Sequence, residues 1–417
     1  MPKDFFTIDD FPIEEKIVLL RVDINSPVDP ESGMILDFNR IKSHLNTIKR
    51  FKDSKLVIMA HQSRPGKVDF IPLHSHAESI ETLLKRPVLF VDDLFGSQAQ
   101  NSIKSMSAGD IIILQNVRFY SEEMVLRNSP VNTLQQTNII KNLASIGDFF
   151  VNDAFAAAHR QQATIVGFTE LLPSAAGLVM EKELTALGWV LSSKQHPCIA
   201  ILGGAKVKDS LDVAQNMLQN KIVDKVLTTG LVANIFFMAQ DKKLGKPNVK
   251  FLETEFPDLK NLVESAKNLL KKFRNRLELP VDLAGNKDGE RVNQKVDELP
   301  SKYPIYDIGL ETIVKYSNII KDAKVVIGNG PAGVFEIDEF SFGTNEIFTA
   351  IANSKSFSVL GGGETNTAIT KLGIDDKVDH ISTGGGACIN FLAGRTLPAV
   401  EALKKSKKLF AKKLSKK

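Results

Sequence analysis

Three stretches of this chain place glycines where a strand would hand over to a helix. They are Ile201-Leu202-Gly203-Gly204-Ala205-Lys206, Gly361-Gly362-Gly363-Glu364-Thr365 and Ser382-Thr383-Gly384-Gly385-Gly386-Ala387. Glycines at such a turn let the backbone come close to a ligand, and the helix that follows aims free N–H groups at it. The last two turns flank one helical stretch, 365–372, and together make a cradle free of side chains that suits a polyphosphate. Glu364 sits at the first of them, where a carboxylate can hold a divalent cation against phosphates. One glycine cluster reads equally well as an ordinary tight turn; three in one half of a chain do not. Lys206 is placed like a phosphate lysine, although its spacing does not fit the P-loop pattern GxxxxGK[ST]. A further turn, Gly330-Pro331-Ala332-Gly333-Val334-Phe335-Glu336, is rigid and ends in an acid. Glu336 can accept hydrogen bonds from ribose hydroxyls or stand solvated.

The other half carries arginines instead. Arg21, Asp23 and Asn25 follow one apolar run and Arg40 follows its loop; His61 and Arg64 end the next, Arg118 follows Asn116, and His159 and Arg160 close the last. Five arginines in register, 21, 40, 64, 118 and 160, would converge on one rim. A planar guanidinium binds carboxylate and phosphate through two parallel hydrogen bonds, so the rim suits a small polyanion. Asp23 and Asn25 would hold that ligand's hydroxyls.

The elements that must position these residues alternate. Apolar, β-branched runs at 17–22, 56–60, 88–91, 111–114 and 149–151 predict strands, with helices over 40–52, 75–85 and 133–145. Strands at 198–202, 225–229, 279–283, 324–327, 357–360 and 380–382 follow, with helices over 210–219, 259–272 and 344–354. Short, nearly unbroken apolar strands between helices predict parallel sheets covered on both faces, with ligands beyond the carboxyl ends of the strands. The fold class is therefore α/β, in two domains: 1–173, carrying the arginine rim, and 193–393, carrying the glycine turns. A long helix over 174–192 joins them, and 394–417 is a basic tail. The stripe Val400, Leu403, Phe410 and Leu414 suits a helix docking on its own chain, near the join or the first domain; a basic amphipathic helix on an anionic membrane is the other reading.

Composition removes several classes. The 417 residues include 43% hydrophobic and 24% charged residues, as in an ordinary globular protein. The formal charge of +4 misleads, because 404–417 hold eight lysines and no acid, which leaves net −4 on the rest. That body does not read as a nucleic-acid-binding surface, which leaves only the basic tail able to touch one. Cys198 and Cys388 lie far apart with no zinc-ligand spacing. No basic and apolar leader opens the chain, and no 18 uncharged apolar residues run together. A cytoplasmic monomer without nucleic-acid or membrane partners is the expected form.

The motifs RVDINSP, HQSRPG, LQNVRFY, FVNDAFAAAHR, AAGLVMEKEL, ILGGAKV, NGPAGVFE, GGGET and STGGGA occur in the order and spacing of the phosphoglycerate kinases. The resemblance runs from about residue 18 to residue 400, and the TGLVAN segment with Val207-Lys208-Asp209-Ser210 is similar to the archaeal branch. It implies two Rossmann-like three-layer domains joined by a helix and hinge, which close to react and open to release. It implies reversible transfer of the ATP γ-phosphoryl group to the carboxylate of 3-phosphoglycerate, with Mg²⁺. Matching motif positions give Asp23, Asn25, Arg40, His61, Arg64, Arg118 and Arg160 to 3-phosphoglycerate. They give Gly203, Lys206, Gly230, Asn329, Glu336, Gly363, Glu364 and Thr365 to ATP or ADP, with Glu364 as the metal carboxylate. Arg40, Lys206 and the Gly384, Gly385 and Gly386 amides are the implied catalytic groups.

There are departures from the family pattern. Its metal aspartate is Glu364 here, its second lysine is Ser210, a tryptophan often found before NGP is Gly328, and Ser63 replaces a glycine before Arg64. Another ATP-dependent acyl-phosphate kinase, or a catalytically silent nucleotide-binding protein, are the competing readings.

Overall fold

The structure is a computed structural model that describes residues 4–414; the first three residues and the tail's Lys416 and Lys417 lie outside the described residues. Two compact units divide the chain, one reaching to Thr185 and taking in residues from Thr396 onward, the other spanning Ala186–Arg395. The helix Leu178–Ser192 runs through the boundary.

The first unit is built on a seven-stranded parallel sheet. Its strands are β1 (Phe6–Thr7), β2 (Ile17–Arg21), β3 (Lys55–Met59), β4 (Leu89–Val91), β5 (Ile111–Leu114), β6 (Phe149–Asn152) and β7 (Ser174–Ala176). They lie in the order β1-β7-β6-β2-β3-β5-β4. Val18, Leu19 and Leu20 are fully buried, as are Leu56, Val57 and Ile58 on the adjacent strand. Both faces of these central strands are covered, which is why they read as unbroken apolar runs. Arg21 pairs with Met59 on one side and Asn152 on the other, so the loops after β2, β3 and β6 open at one edge.

The second unit holds β8 (Cys198–Leu202), β9 (Lys225–Thr228), β10 (Leu277–Glu278), β11 (Asp282–Lys287), β12 (Glu290–Lys295), β13 (Ile305–Ile308), β14 (Val325–Asn329), β15 (Phe357–Gly361) and β16 (His380–Ser382). Six of them form a parallel sheet, β10-β9-β8-β14-β15-β16. Asn329 pairs with Leu202 and Gly361, and Gly361 with Ser382, which aligns the glycine turns after four strands.

Several expectations need correction. β11, β12 and β13 form a separate antiparallel sheet, where one strand over 279–283 had been read. The β11–β12 turn is Asp288-Gly289, both at positive φ, which is the geometry a two-residue hairpin requires. The helix expected over 133–145 breaks into Val131–Leu134 and Asn138–Ala144, with Thr137 extended between them. Ser174–Ala176 is a strand, not the start of the joining helix, because its small residues pair with β6. The helix begins only after Gly177, where a Cβ would lie 2.2 Å from Asp153 Oδ1. That oxygen accepts from the Val179 amide at 2.8 Å and so caps the helix.

The lysine-rich helix Pro398–Leu414 packs on the first unit. Phe410 joins the core with Phe6, Ile8 and Phe11. Ser406 Oγ accepts from the Ser174 amide (3.0 Å), and Lys405 pairs with Glu170 at 2.8 Å.

Candidate functional site

The carboxyl edge of the first sheet gathers the charged residues. Asp23 Oδ2 lies 3.1 Å from Arg40 Nη1, and Asp23 Oδ1 accepts from the Asn25 amide. Burial alone would raise the Asp23 carboxyl, but His61 when protonated, Arg40 and Arg21, with the Asn25 amide, hold it well below the usual carboxylate range. Asn25 Oδ1 accepts from the Ser63 amide at 2.7 Å, and the Ser63 carbonyl accepts from Arg118. Ser63 thus stands at φ +56° where a glycine would be unstrained, held by these bonds and by its hydroxyl on Asp69 Oδ1 (2.6 Å).

Arg118 is almost buried, and burial first, then Arg160 and Arg21, bring its guanidinium down to about 10. Among the described residues its buried Nε has no hydrogen-bond partner. Arg160 is lowered by burial and by Arg40, against the pull of Asp23. Arg118 therefore feels Arg160, and Arg160 feels Arg40, with Asp23 as a shared counter-charge, a cation excess that an anionic ligand would relieve. Arg64, on the loop after β3, has its side chain exposed.

Arg21 is a correction to the five-arginine rim. Its side chain is 1% exposed and is used inside the unit, on Thr164 Oγ1 at 3.0 Å, His61 Nδ1 at 3.1 Å and the Val22 carbonyl. Four of the five arginines remain available to a ligand.

One support of this edge is pH-sensitive. Buried His76 donates from Nε2 to Gln62 Oε1 (3.1 Å), and Gln62 bridges both main-chain groups of Ser26. Burial pushes the His76 imidazole down to about 4, whereas an unfolded histidine titrates near 6.5. Between those values the unfolded chain binds more protons, so stability falls as pH drops through that window, by about 1.4 kcal/mol per unit of separation at most. The denaturant midpoint should fall from pH 7 to pH 4.5, and His76→Gln should flatten the fall. An unaltered slope in that variant would contradict the assignment.

In the second unit the glycines serve two purposes. The Gly203 amide donates to the Asn329 carbonyl and the Gly204 amide to Pro331, both at 2.9 Å, so neither N–H is free for a ligand. Close packing explains these glycines: a Cβ on Gly203 would lie 2.3 Å from the Pro331 carbonyl oxygen, and one on Gly330 would lie 2.3 Å from that of Gly203. Free first-turn amides belong instead to the helices Gly363–Leu372 and Gly385–Leu392. Those two turns touch, since a Cβ on Gly385 would lie 3.5 Å from Gly363 N. Thr365 is buried and accepts the Gly330 amide through Oγ1 (2.9 Å), while Asn329 Nδ2 donates to the Gly361 carbonyl (2.7 Å). Both fix the turns from behind. Gly384 caps the second helix, its amide on Ser382 Oγ at 3.3 Å.

Lys206 caps the helix Val207–Gln219 with its side chain exposed, while Ser210, one turn on, is buried. Beside these turns lies a pocket of about 540 Å³. Gly204, Gly230 and Gly333 contribute backbone to its lining, Leu231, Phe251, Leu283 and Val334 apolar surface, and Glu336 and Glu364 carboxylates. A flat apolar ring with a polar, phosphate-bearing end fits such a lining. The helix Lys246–Glu255 and the antiparallel sheet supply much of the wall, and neither was singled out from sequence. Glu364 belongs to the first turn of its helix, with Oε2 3.3 Å from where a Gly204 Cβ would stand.

The profile of the family described as phosphoglycerate kinase matches residues 8–395. The chain belongs to the phosphoglycerate kinase family. Among its relatives, the phosphoglycerate kinase of Methanosarcina mazei is 50% identical over 405 residues, covering 96% of this chain and 95% of that protein. The phosphoglycerate kinase of Methanothermus fervidus is 46% identical, covering 97% and 98%. The crystal structure of the phosphoglycerate kinase from Pyrococcus horikoshii superposes with a TM-score of 0.89 at 42% identity, covering 97% of this chain and all of that one. The two α/β units are therefore the two domains of the family's fold. Among the described residues, no helix is long and apolar enough to cross a membrane.

Proposed function

We propose that the chain transfers the γ-phosphoryl group of ATP reversibly to the carboxylate of 3-phospho-D-glycerate, the first unit holding the acid and the second the nucleotide. The observation that carries this reading is Asp23 paired with Arg40 at 3.1 Å and also within reach of Arg118 and Arg160, which leaves this edge short of negative charge. A ligand with an anionic group at each end supplies that charge, with Arg64, Arg118, Arg160 and His61 on the phosphate end and Asp23 and Asn25 on the hydroxyl. A monoanionic acid such as acetate would leave part of the rim unpaired.

The nucleophile is itself a carboxylate, ionised at neutral pH, so no general base is needed. Catalysis becomes alignment of two anions and neutralisation of the transferring charge. Arg40, Lys206 and the amides of Gly385 and Gly386 are the groups assigned to that task; the Gly384 amide, expected among them, already donates to Ser382 Oγ and shapes the turn instead. Gly203, Gly230, Asn329 and Gly363 shape the nucleotide site, Thr365 braces it, and Glu336 takes the ribose hydroxyls.

Among the described residues, no three His, Cys, Asp or Glu cluster as a metal cage. A lone carboxylate beside a phosphate cradle still fits Mg²⁺, which habitually takes one or two carboxylates and completes its shell with phosphate oxygens and water. Glu364 is the residue that would hold it, and bound there it would neutralise phosphate charge. Glu364→Gln should raise the Mg²⁺ needed for half activity and leave affinity for 3-phosphoglycerate alone nearly unchanged. An unmoved Mg²⁺ dependence would remove Glu364 from the metal.

The acceptor is tested by steady-state assay with 3-phosphoglycerate, glycerate and acetate at saturating Mg-ATP. Turnover confined to 3-phosphoglycerate is expected. Comparable kcat/KM with acetate would favour a different acyl-phosphate kinase.

A further inference from the structure

Behind the arginine rim lies a buried chain of hydrogen bonds that the transfer chemistry leaves unused. Glu123, 1% exposed, accepts through Oε2 from the Thr164 amide (3.0 Å) and through Oε1 from the Thr164 hydroxyl (2.7 Å). With its one proton committed to Glu123, Thr164 Oγ1 meets Arg21 Nε (3.0 Å) as an acceptor. Arg21 then reaches His61 Nδ1 at 3.1 Å through its other end.

The direction of both bonds that Arg21 makes in this chain is fixed. A guanidinium has five donors and no acceptor, so at the last contact His61 Nδ1 must be the lone-pair nitrogen. The imidazole is then neutral, and its proton sits on Nε2. Among the described residues no hydrogen bond to Nε2 is present, although the residue is only 2% exposed.

We propose that Glu123, Thr164 and Arg21 are positioning residues that lock His61 as a neutral Nε2–H donor for the anionic substrate. This rests on the reading of the rim as the 3-phosphoglycerate site. Glu123 has a second task, since it offsets a guanidinium that would otherwise be buried among like charges. The surroundings of His61 agree with the geometry: burial most of all opposes a second proton, Asp23 favours it, and Arg21, Arg118 and Arg160 oppose it further. A locked donor differs from a titrating one in function. It offers one hydrogen bond of constant direction across neutral pH, and the rim's affinity does not follow a histidine titration.

The test uses full-length protein labelled with ¹⁵N in its histidine rings, seven in all, with the His61 signals assigned through His61→Gln. From pH 6 to 8 His61 should show an unprotonated Nδ1, a protonated Nε2 and no titration. A titrating ring, or a proton on Nδ1, overturns the proposal. Thr164→Val keeps the shape but removes the hydroxyl that links Glu123 to Arg21. It should free the His61 tautomer and raise KM for 3-phosphoglycerate about tenfold, with kcat and the KM for ATP within about twofold. Thr164→Ser should restore both readouts, which a loss of packing alone would not predict. If Thr164→Val leaves spectrum and KM as in the parent, the relay is overturned. A freed tautomer with an unchanged KM would uphold the relay but contradict His61 as a substrate donor, and with it that part of the rim reading. Should Thr164→Val fail to fold, the parent spectrum and Thr164→Ser still decide the matter.

Discussion

Lys206→Met is expected to lower kcat by about 10²–10³ at saturating Mg-ATP, the usual cost of removing one preorganised charge from a transition state. The expectation comes from how the helix Val207–Gln219 begins. Lys206 stands at its cap, exposed beside Gly203 and Gly204. One turn later, where the family commonly has a second lysine, Ser210 is 3% exposed and faces the core. Its burial leaves no room for a cation at that position. Lys208 lies two residues along, roughly 200° around the helix from Lys206, and cannot replace it. Lys208→Met should therefore change kcat less than about threefold. Comparable losses in the two variants, measured by steady-state kinetics, would show that Lys208 carries the charge.

The second large effect is expected at Arg40. Arg40→Ala should lower kcat by about 10²-fold or more, whereas Arg64→Ala should mainly raise KM for 3-phosphoglycerate. Arg40 pairs with Asp23 while its side chain keeps 43% exposure, so it is held in direction yet open to a ligand. Arg64 lies exposed on the loop after β3, where it can bind charge but nothing fixes its aim. Asp23 keeps Arg21 nearby when Arg40 is removed, which limits collateral damage to the rim. If both variants change only KM, Arg40 has no role in the transition state.

The glycine turns were legible in the sequence because their physical requirement is local. Gly204, Gly230, Gly330 and Gly362 all hold positive φ, and other residues take such angles at a cost. What the sequence could not say is how each glycine is used: Gly203 is there to let Pro331 approach, whereas Gly385 leaves an amide free. Arg21 was misread for a related reason. A strand-end arginine looks the same whether it faces solvent or a buried partner, and the partners that turn it inward, Thr164 and His61, are 143 and 40 residues away. The pocket wall was illegible too, since it draws on segments scattered from Gly204 to Glu364 with no shared motif. The β11–β12 hairpin carried a readable signal in Asp288-Gly289, but the strands beside it are mostly polar and lack the apolar alternation that marks a strand.

The most direct measurement of the central claim traps the product itself. Purified protein, Mg-ATP and 3-phosphoglycerate would be incubated with hydroxylamine, which converts an acyl phosphate into a stable hydroxamate, while ADP is counted in parallel. ADP and hydroxamate should appear in equal amounts, only when 3-phosphoglycerate is present, and Lys206→Met should lower both together. ADP released without hydroxamate, or at the same rate without the acid, would contradict phosphoryl transfer to the carboxylate.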